Sequence, residues 1–266
     1  LDSFHKLKSF GNIIIPAESG ELASGLSGEG RMAEPENIVA FLENDLLEKL
    51  PLKGKKILIT AGPTYEAIDP VRFIGNHSSG KMGFDIANEA ANKGAEVILV
   101  SGPTHLSVQN SSVKLIRVTS AQDMYNACHE HYEKVDVAIA AAAVADYRPK
   151  NVAHQKIKKN EATFSIELEK TKDTLASLGE QKKKQFLIGF ALETENEIEH
   201  AKQKIQKKNL DLIVLNSLND KGAGFGLPTN KVTFISKDFI VEPKELKSKE
   251  EVAQDIINKV IQFYDA

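Results

Sequence analysis

Cysteine is almost absent from this sequence: Cys128 is the only one in 266 residues, so no disulfide can form within the chain. This favours a reducing compartment, and we expect a cytoplasmic protein. Long apolar runs are missing too, since the longest, residues 135–145, contains Asp136 and is too short to cross a bilayer. With 9 prolines and 41% hydrophobic residues, the chain is expected to be neither disordered, collagen-like nor membrane-spanning.

A large charge of one sign is also missing. The 34 basic and 37 acidic residues leave a net charge of −3, so no global field draws the chain to nucleic acid or to an acidic membrane. Any anion site must therefore be local. The strongest local excess lies in residues 148–184, where ten Lys or Arg accompany five Asp or Glu. A solvated face is the ordinary explanation of such a run, but its position after a strand end favours a ligand site, and both remain open.

The length suits one large α/β unit or two modest domains. Residues 1–35 show no domain pattern and the chain starts at Leu1, which suggests a fragment or a processed product. Residues 12–16 are compatible with a strand, and residues 20–30, with four glycines, with a mobile loop. Residues 36–50 place apolar side chains at helical spacing, which predicts a linker helix.

From Lys55 onward, apolar strand patterns alternate with helical patterns. Strands are predicted at 56–60, 96–100, 113–118, 136–143, 186–191 and 210–215, and helices at 80–93, 121–134, 197–208 and 248–264. Residues 231–235 and 239–241 predict an antiparallel hairpin. The pattern predicts an α/β fold: a doubly wound, mostly parallel Rossmann-like sheet with an antiparallel edge hairpin.

Residues 75–82, with the sequence GNHSSGKM, approach the spacing of a phosphate-binding loop. Met82 stands where that loop needs Ser or Thr for Mg²⁺, and no strand pattern precedes it, so a true phosphate-loop NTPase is disfavoured. Ser78, Ser79 and Gly80 nevertheless lie where a helix begins, and its free amides favour an anion. A serine that merely caps the helix is the alternative. The turn containing Gly62 ends the first strand and could line the same crevice, or could simply be a packing turn.

Several further residues have both a structural and a functional interpretation. The small side chains of residues 138–145 could pack against a helix or leave room for a flat ligand, and Asp146 after them could hold a ribose hydroxyl or Mg²⁺. Phe190 could pack on a base or lie in the core. Lys204 and Lys208 share one helix face, where a polyphosphate would relieve their repulsion. No G-x-G-x-x-G follows the first strand, which weakens a dinucleotide-dehydrogenase interpretation.

Six ordered blocks carry a more specific signal: AGPTYEAIDPVR (61–72), NHSSGKMG (76–83), AAAAVADYRP (140–149), KIKK (156–159), GFALET (189–194) and KNLD (208–211). Together they resemble the phosphopantothenate–cysteine ligase domain of the bacterial bifunctional coenzyme A biosynthesis proteins. Residues 11–35 resemble the closing flap of the flavin-dependent decarboxylase domain of those proteins. The resemblance thus implies a residual flap at 1–35, a linker helix at 36–54 and a ligase domain at 55–266.

The resemblance implies a reaction in which CTP activates 4′-phosphopantothenate as an acyl-cytidylate, and the amine of cysteine then attacks it. It implies Mg²⁺ as a cofactor, FMN only in the missing decarboxylase domain, and a homodimer with higher assembly through that domain. It implies no nucleic-acid or membrane partner. We expect residues 148–170 to form an arm that reaches the neighbouring subunit.

The resemblance also implies roles for individual residues. Asn76 would steady the acyl-cytidylate, Lys156 would contact the triphosphate, and Arg72 would hold the substrate's phosphate or carboxylate. The implied CTP-binding positions are Ala140, Ala141, Ala142, Asp146, Lys156, Lys172, Asp173, Thr174, Leu175, Phe190, Lys204 and Lys208, and Asp146 is also the candidate metal ligand. Gly62, Ser78, Ser79 and Gly80 form the expected anion site at the helix start.

The sequence departs from the family at two places. Ser24 stands where most decarboxylase flaps carry a cysteine proton donor, and a hydroxyl is a far weaker acid than a thiol. Residues 170–173 read KTKD instead of the family's usual Lys-Asn-Pro-Asp, so we expect a less ordered loop there. A nucleotide-binding oxidoreductase of Rossmann fold and a non-catalytic binding module are the alternative functions.

Overall fold

The computed structural model describes residues 2–21, 27–158, 163–217, 219–220, 222, 224 and 226–265. The chain forms two compact units, residues 1–53 and residues 54–266. Within the described residues, no helix combines the length and apolar character that a membrane span requires. Ser24, the flap position singled out in the sequence, lies outside these residues.

The smaller unit has two helices and a short hairpin. Its elements are α1 (Asp2–Ser9), β1 (Glu18–Glu21), β2 (Ser27–Arg31) and α2 (Pro35–Glu48). The predicted helix at 36–50 is confirmed as α2, which starts with a proline at its first turn, where a missing N–H costs nothing. The strand expected at 12–16 is wrong, because those residues have no regular structure. Of the loop expected at 20–30, residues 20–21 and 27–30 instead belong to the antiparallel β1–β2 pair, and residues 22–26 lie outside the described part of the chain. The assignment of this unit to a residual flap and a linker stays a prediction.

The larger unit alternates strands and helices. In chain order its elements are β3 (Lys56–Ala61), β4 (Tyr65–Ala67), β5 (Phe73–Gly75), α3 (Lys81–Asn92), β6 (Glu96–Ser101), β7 (Val113–Arg117), α4 (Ala121–Tyr132), β8 (Val137–Ala140), β9 (Tyr147–Pro149), β10 (Leu168–Lys170), α5 (Thr174–Gln181), β11 (Phe186–Glu193), α6 (Glu197–Lys207), β12 (Leu212–Ser217), β13 (Thr229–Asn230), β14 (Val232–Ser236), β15 (Val241–Pro243), β16 (Lys247–Ser248) and α7 (Lys249–Asp265).

An eight-stranded sheet has the spatial order β15-β14-β12-β11-β8-β3-β6-β7. The six strands from β12 to β7 are parallel, whereas β14 and β15 are antiparallel to their neighbours. The predicted fold is therefore confirmed. The chain runs outward from β3 through β6 to β7 and then returns to the other side of β3 with β8. The strand order thus reverses between β3 and β8, and a crevice opens there at the carboxyl ends of the strands.

Helices cover both faces of the sheet, which explains why its central strands are apolar without alternation. Side chains of α4, α5 and α6 join one buried cluster that includes Met124, Leu178 and Ile205. Helices α3 and α7 pack against each other. Cys128 lies fully buried in α4, and burial raises the pKa of its thiol to about 12, so the reactive thiolate form is disfavoured.

Several details of the larger unit differ from the predictions. The strand expected at 136–143 ends at Ala140, and the strand expected at 186–191 continues to Glu193. Helix α5 was missed because its sequence, TLASLGEQ, contains only three apolar side chains. A start signal was present, since Asp173 caps this helix by accepting a hydrogen bond from the Ala176 N–H at 2.9 Å.

We expect Gly83→Ala to destabilise the larger unit. A Cβ at this position of α3 would lie 2.6 Å from Ala61 Cβ and 2.9 Å from the Thr60 carbonyl oxygen, so the helix would have to move away from β3. Overpacking of this kind costs about 1–3 kcal/mol, which exceeds the gain of about 1 kcal/mol in helix propensity. Thermal denaturation should show a Tm lower by about 2–8 °C. A Tm at or above the wild-type value would contradict the close packing of α3 on β3, and Asn92→Ala on the exposed side of α3 is the control.

Candidate functional site

Two adjoining cavities open where the strand order reverses. The main cavity has a volume of about 650 Å³, and the side cavity about 160 Å³. Both are lined by residues at the carboxyl ends of β8 and β11, and they share a wall made of Ala142, Ala143, Phe190 and Leu192. The crevice expected from the topology is thus present as two compartments.

The structure brings most of the sequence-predicted site residues to these compartments. The main cavity is lined by Asn76, Ala140, Ala142, Asp146, Lys172, Asp173, Thr174, Leu175, Phe190, Lys204 and Lys208. The side cavity is lined by Ser78, Ser79, Gly80 and Ala141. Of the described residues in the prediction, Gly62, Arg72 and Lys156 line neither cavity.

The floor of the main cavity is formed by residues 142–144, which follow β8 but are not part of a regular strand. After β8 the backbone is held by hydroxyls on the β3 side: Thr60 Oγ1 accepts from the Ala142 N–H at 3.1 Å, and Thr64 Oγ1 accepts from the Ala145 N–H at 2.9 Å. The alanine side chains above these amides are too small to fill the crevice, so the cavity stays open. This favours the ligand interpretation of the alanine run over simple close packing.

Asn76 lies at the rim of the main cavity, between β5 and α3. Its side-chain Nδ2 donates hydrogen bonds to the carbonyl oxygens of Ala143 at 2.9 Å and Val144 at 3.2 Å. The amide thereby bridges the turn before α3 and the extension of β8. Because both amide hydrogens point at backbone carbonyls, the side chain has a defined orientation even though it is exposed.

Two lysines of the main cavity are paired with carboxylates. Lys204 Nζ lies 3.0 Å from Glu193 and Lys208 Nζ lies 2.8 Å from Asp173. Carboxylates thus already relieve the repulsion between the two lysines, because strand β11 continues far enough to supply Glu193 and Asp173 immediately precedes α5. Relief by a polyphosphate stays a prediction. Burial disfavours the charged form of Asp173, but Lys208 and the Ala176 N–H outweigh this and hold the pKa of that carboxyl below its ordinary value. These solvent-accessible pairs can be exchanged for contacts with an anionic ligand.

Thr174 is a buried hydroxyl with an open hydrogen-bonding capacity. It is the first residue of α5, is 7% exposed, and lines the main cavity. Within the described part of the chain its Oγ1 has no hydrogen-bond partner. Since buried polar groups are normally satisfied, this hydroxyl is suited to bind a polar ligand in the cavity.

At the side cavity, Gly80 immediately precedes α3 in a left-handed conformation with φ of 83°. Ser78 Oγ accepts from the Gly80 N–H at 3.2 Å and Ser79 Oγ accepts from the N–H of Lys81, the first residue of α3, at 3.4 Å, whereas the cap residue itself is a glycine. The serine-cap alternative therefore stays open for Ser79. Gly62 lies behind this turn, since a Cβ on Gly80 would come within 3.3 Å of the Gly62 backbone.

Arg72 is engaged outside both cavities. Its Nη2 donates to the Ile157 carbonyl oxygen at 2.9 Å and its Nη1 lies 3.3 Å from Asp69 Oδ2, which also accepts from the Ile157 N–H. Burial disfavours ionisation of Asp69, but the N–H groups of Val71, Ile157 and Arg72 together with the Arg72 charge hold its pKa below the ordinary value. Arg72 and Asp69 therefore anchor the segment that carries the exposed Lys156. Substrate contacts by Arg72 and Lys156 stay predictions.

The described residues contain no group of three or more His, Cys, Asp or Glu that could hold a metal ion by themselves. Asp146 is exposed at the rim of the main cavity. Mg²⁺ usually binds through one or two carboxylates together with substrate phosphates and water. A single carboxylate beside a polyphosphate-sized cavity fits that mode.

Residues 52–264 match the family described as "DNA/pantothenate metabolism flavoprotein C-terminal domain". The chain belongs to this family. This confirms the resemblance seen in the ordered sequence blocks. The matched residues include every strand of the eight-stranded sheet and all the residues that line the two cavities.

Relatives and solved structures of the family extend this match. The chain is 52% identical over 260 residues to a protein named "Cysteine/Cysteine sulfinic acid decarboxylase" from an unknown prokaryotic organism. The alignment covers 96% of this chain and 72% of that protein. The chain is 46% identical over 252 residues to the "Coenzyme A biosynthesis bifunctional protein CoaBC" of Bacillus subtilis, covering 94% of this chain but 62% of that protein. The crystal structure of the C-terminal domain of a protein of that name superposes with a TM-score of 0.70 at 49% identity, covering 82% of this chain and 99% of the solved one.

Proposed function

We propose that this chain is a ligase of coenzyme A biosynthesis that joins cysteine to 4′-phosphopantothenate at the expense of CTP. The family and the names of the relatives support a place in coenzyme A biosynthesis. The observation that carries the finer proposal is the main cavity, which combines exchangeable lysines with an unsatisfied hydroxyl at the N-terminus of α5. That combination suits a nucleoside triphosphate.

The main cavity offers complementary contacts to both ends of CTP. Phe190 provides an aromatic surface for the base, and Thr174 and the α5 amides provide polar partners for its edge. Lys204 and Lys208 would exchange Glu193 and Asp173 for phosphate oxygens. Mg²⁺ held by Asp146 would offset the charge of the phosphates when the nucleotide is bound.

The proposed chemistry has two steps. First, the carboxylate of 4′-phosphopantothenate attacks the α-phosphorus of CTP, and the bond to the β-phosphate breaks as pyrophosphate leaves. Second, the amine of cysteine attacks the acyl carbonyl carbon, the bond to CMP breaks, and the amine loses a proton. Both steps bring anions or lone pairs together, so the cations and oriented amides of the cavity rim lower the barrier by stabilising developing charge.

Asn76 is proposed to act in the second step. Its neutral amide is held against the Ala143 and Val144 carbonyls at the cavity rim, close to the shared wall. To bind an acyl oxygen, the amide would exchange one of these two carbonyls for it, and a neutral donor would not repel the incoming amine.

The proposal is tested by incubating the chain with CTP, Mg²⁺, 4′-phosphopantothenate and cysteine. We expect pyrophosphate release that requires both CTP and the acid, and product formation that requires cysteine. No pyrophosphate release would overturn the proposal. A further arm supplies cysteine alone and measures CO₂, because one relative is named a cysteine decarboxylase; release of CO₂ from cysteine alone would favour that activity instead.

We also propose a homodimer, with FMN and any higher assembly confined to a decarboxylase domain that accompanies this one. Support comes from an exposed apolar surface on and beside the β9–β10 pair, formed by Tyr147, Val152, Phe164 and Leu168. Light scattering should give twice the chain mass, and a monomer at micromolar concentration would contradict the dimer.

A further inference from the structure

The side cavity contains a lysine that the sequence patterns did not single out. Lys249 is the first residue of α7, is 5% exposed, and lines the cavity opposite Ser78, Ser79 and Gly80. In the sequence it lies within the run KSKEE, which is typical of a solvated helix start. In the structure, the side chain of Lys249 is instead buried.

The charge of Lys249 is poorly compensated. Its Nζ donates to the Gly224 carbonyl oxygen at 3.2 Å, and among the described residues no carboxylate lies within ion-pair distance of it. Asp85, whose charge acts on Lys249, lies 3.0 Å from Lys81 Nζ, which also pairs with Glu250. An ammonium group has three donors, so two of its N–H groups are available to a ligand.

The location of Lys249 makes this burial costly. A positive charge at the first turn of a helix opposes the helix dipole, and loss of water disfavours any charge without a partner. Burial, opposed by Asp85 and assisted by Lys81, lowers the pKa of the Lys249 ammonium. A lysine kept at such a position is better explained by a ligand that neutralises it than by a contribution to folding.

The rest of the side cavity is suited to the same kind of ligand. The turn before α3 and the start of that helix line the cavity, and so do Asn216 and Asn230, whose side-chain amides bond to each other at 3.2 Å. Its volume of about 160 Å³ corresponds to roughly five water molecules, which is enough for one or two phosphoryl groups but not for a nucleoside. The shared alanine wall places it directly beside the main cavity.

We propose that Lys249 is a further residue of the anion site expected at the start of α3 and that it binds a phosphoryl group in the side cavity. The phosphoryl group comes either from the polyphosphate tail of the nucleotide or from the phosphomonoester of the acid substrate. The choice between these sources rests on the proposed function, whereas the anion site itself does not.

The test compares wild type with Lys249→Met by calorimetric titration with inorganic pyrophosphate. Methionine keeps the length and apolar stem but removes the charge, so the free protein should remain folded with an unchanged or higher Tm. We expect the pyrophosphate affinity to fall about ten- to a hundredfold, as when a charged hydrogen bond is lost. Lys247→Met, two residues away and paired with Asp255 outside the cavity, is the matched control and should bind like wild type.

Unchanged pyrophosphate affinity in a folded Lys249→Met would overturn the site, as would a wild type that does not bind pyrophosphate. If methionine prevents folding, Lys249→Gln, which can still donate to Gly224, replaces it with the same expected loss. CTP and CMP then distinguish the sources: weaker binding of CTP but not CMP assigns the nucleotide tail, whereas a raised KM for 4′-phosphopantothenate alone assigns the acid. Pyrophosphate binding without turnover in the wild type would reject the ligase but keep the anion site.

Discussion

Asn76→Asp should lower the rate of product formation by two to three orders of magnitude while the protein stays folded. The amide nitrogen that donates to the Ala143 and Val144 carbonyls would become an oxygen that repels both. The new carboxylate would also place negative charge at the rim of a cavity proposed to hold a polyphosphate. Loss of one oriented donor at a developing oxyanion costs about 3–4 kcal/mol, which is a factor of about 10²–10³ in rate.

The two half-reactions make this prediction specific. Because Asn76 is assigned to the attack by cysteine, Asn76→Asp should still release some pyrophosphate in a single turnover and then accumulate the acyl-cytidylate. Asn110→Asp adds the same charge at a half-buried site outside both cavities and should retain wild-type rates. Wild-type product formation by a folded Asn76→Asp would remove Asn76 from the mechanism.

Lys156→Gln should lower turnover by two or more orders of magnitude. The prediction follows from the family's triphosphate-contacting lysine and from the value of one oriented charge in a transition state, about 3–4 kcal/mol. Lys156 is exposed and lines neither cavity, so its contact must form by closure of its segment or within the proposed dimer. Its effect should therefore appear in kcat more than in the affinity for CTP.

Lys158→Gln, two residues further along the same exposed segment, is the control. In steady-state kinetics its turnover should remain within a few-fold of the wild-type value. Asp69→Asn, which weakens the anchor of this segment to Arg72 and Ile157, should fall between the two. Equal turnover of wild type and Lys156→Gln would withdraw the assignment.

The parallel sheet was predictable because its strands are buried on both faces and read as unbroken apolar runs. β3, with Ile57, Leu58 and Ile59 all buried, is the clearest case. Helix α5 was not predictable by periodicity, since its few apolar residues leave only the Asp173 cap as a signal. The short β4–β5 and β9–β10 pairs were missed because three residues per strand cannot establish a period.

The site was predictable to the extent that it depends on strand ends and helix starts. Lys204 and Lys208 meet at one cavity because they are spaced by one helical turn. Thr174 and Asp173 entered only through the resemblance, since nothing in their own sequence context points to a cavity. Lys249 was missed because its burial depends on β16 and α7 folding back beside the start of α3, and long-range packing of this kind leaves no local pattern.

The wall that the two cavities share, formed by Ala142, Ala143, Phe190 and Leu192, has a consequence for inhibitor chemistry. An aromatic fragment seated on Phe190 and an acidic fragment seated near Lys249 would occupy adjoining compartments. Joining them through a short tether would let one compound occupy both compartments and gain from the high effective concentration of its second half. Such a bisubstrate compound needs no access to the exposed segment that carries Lys156.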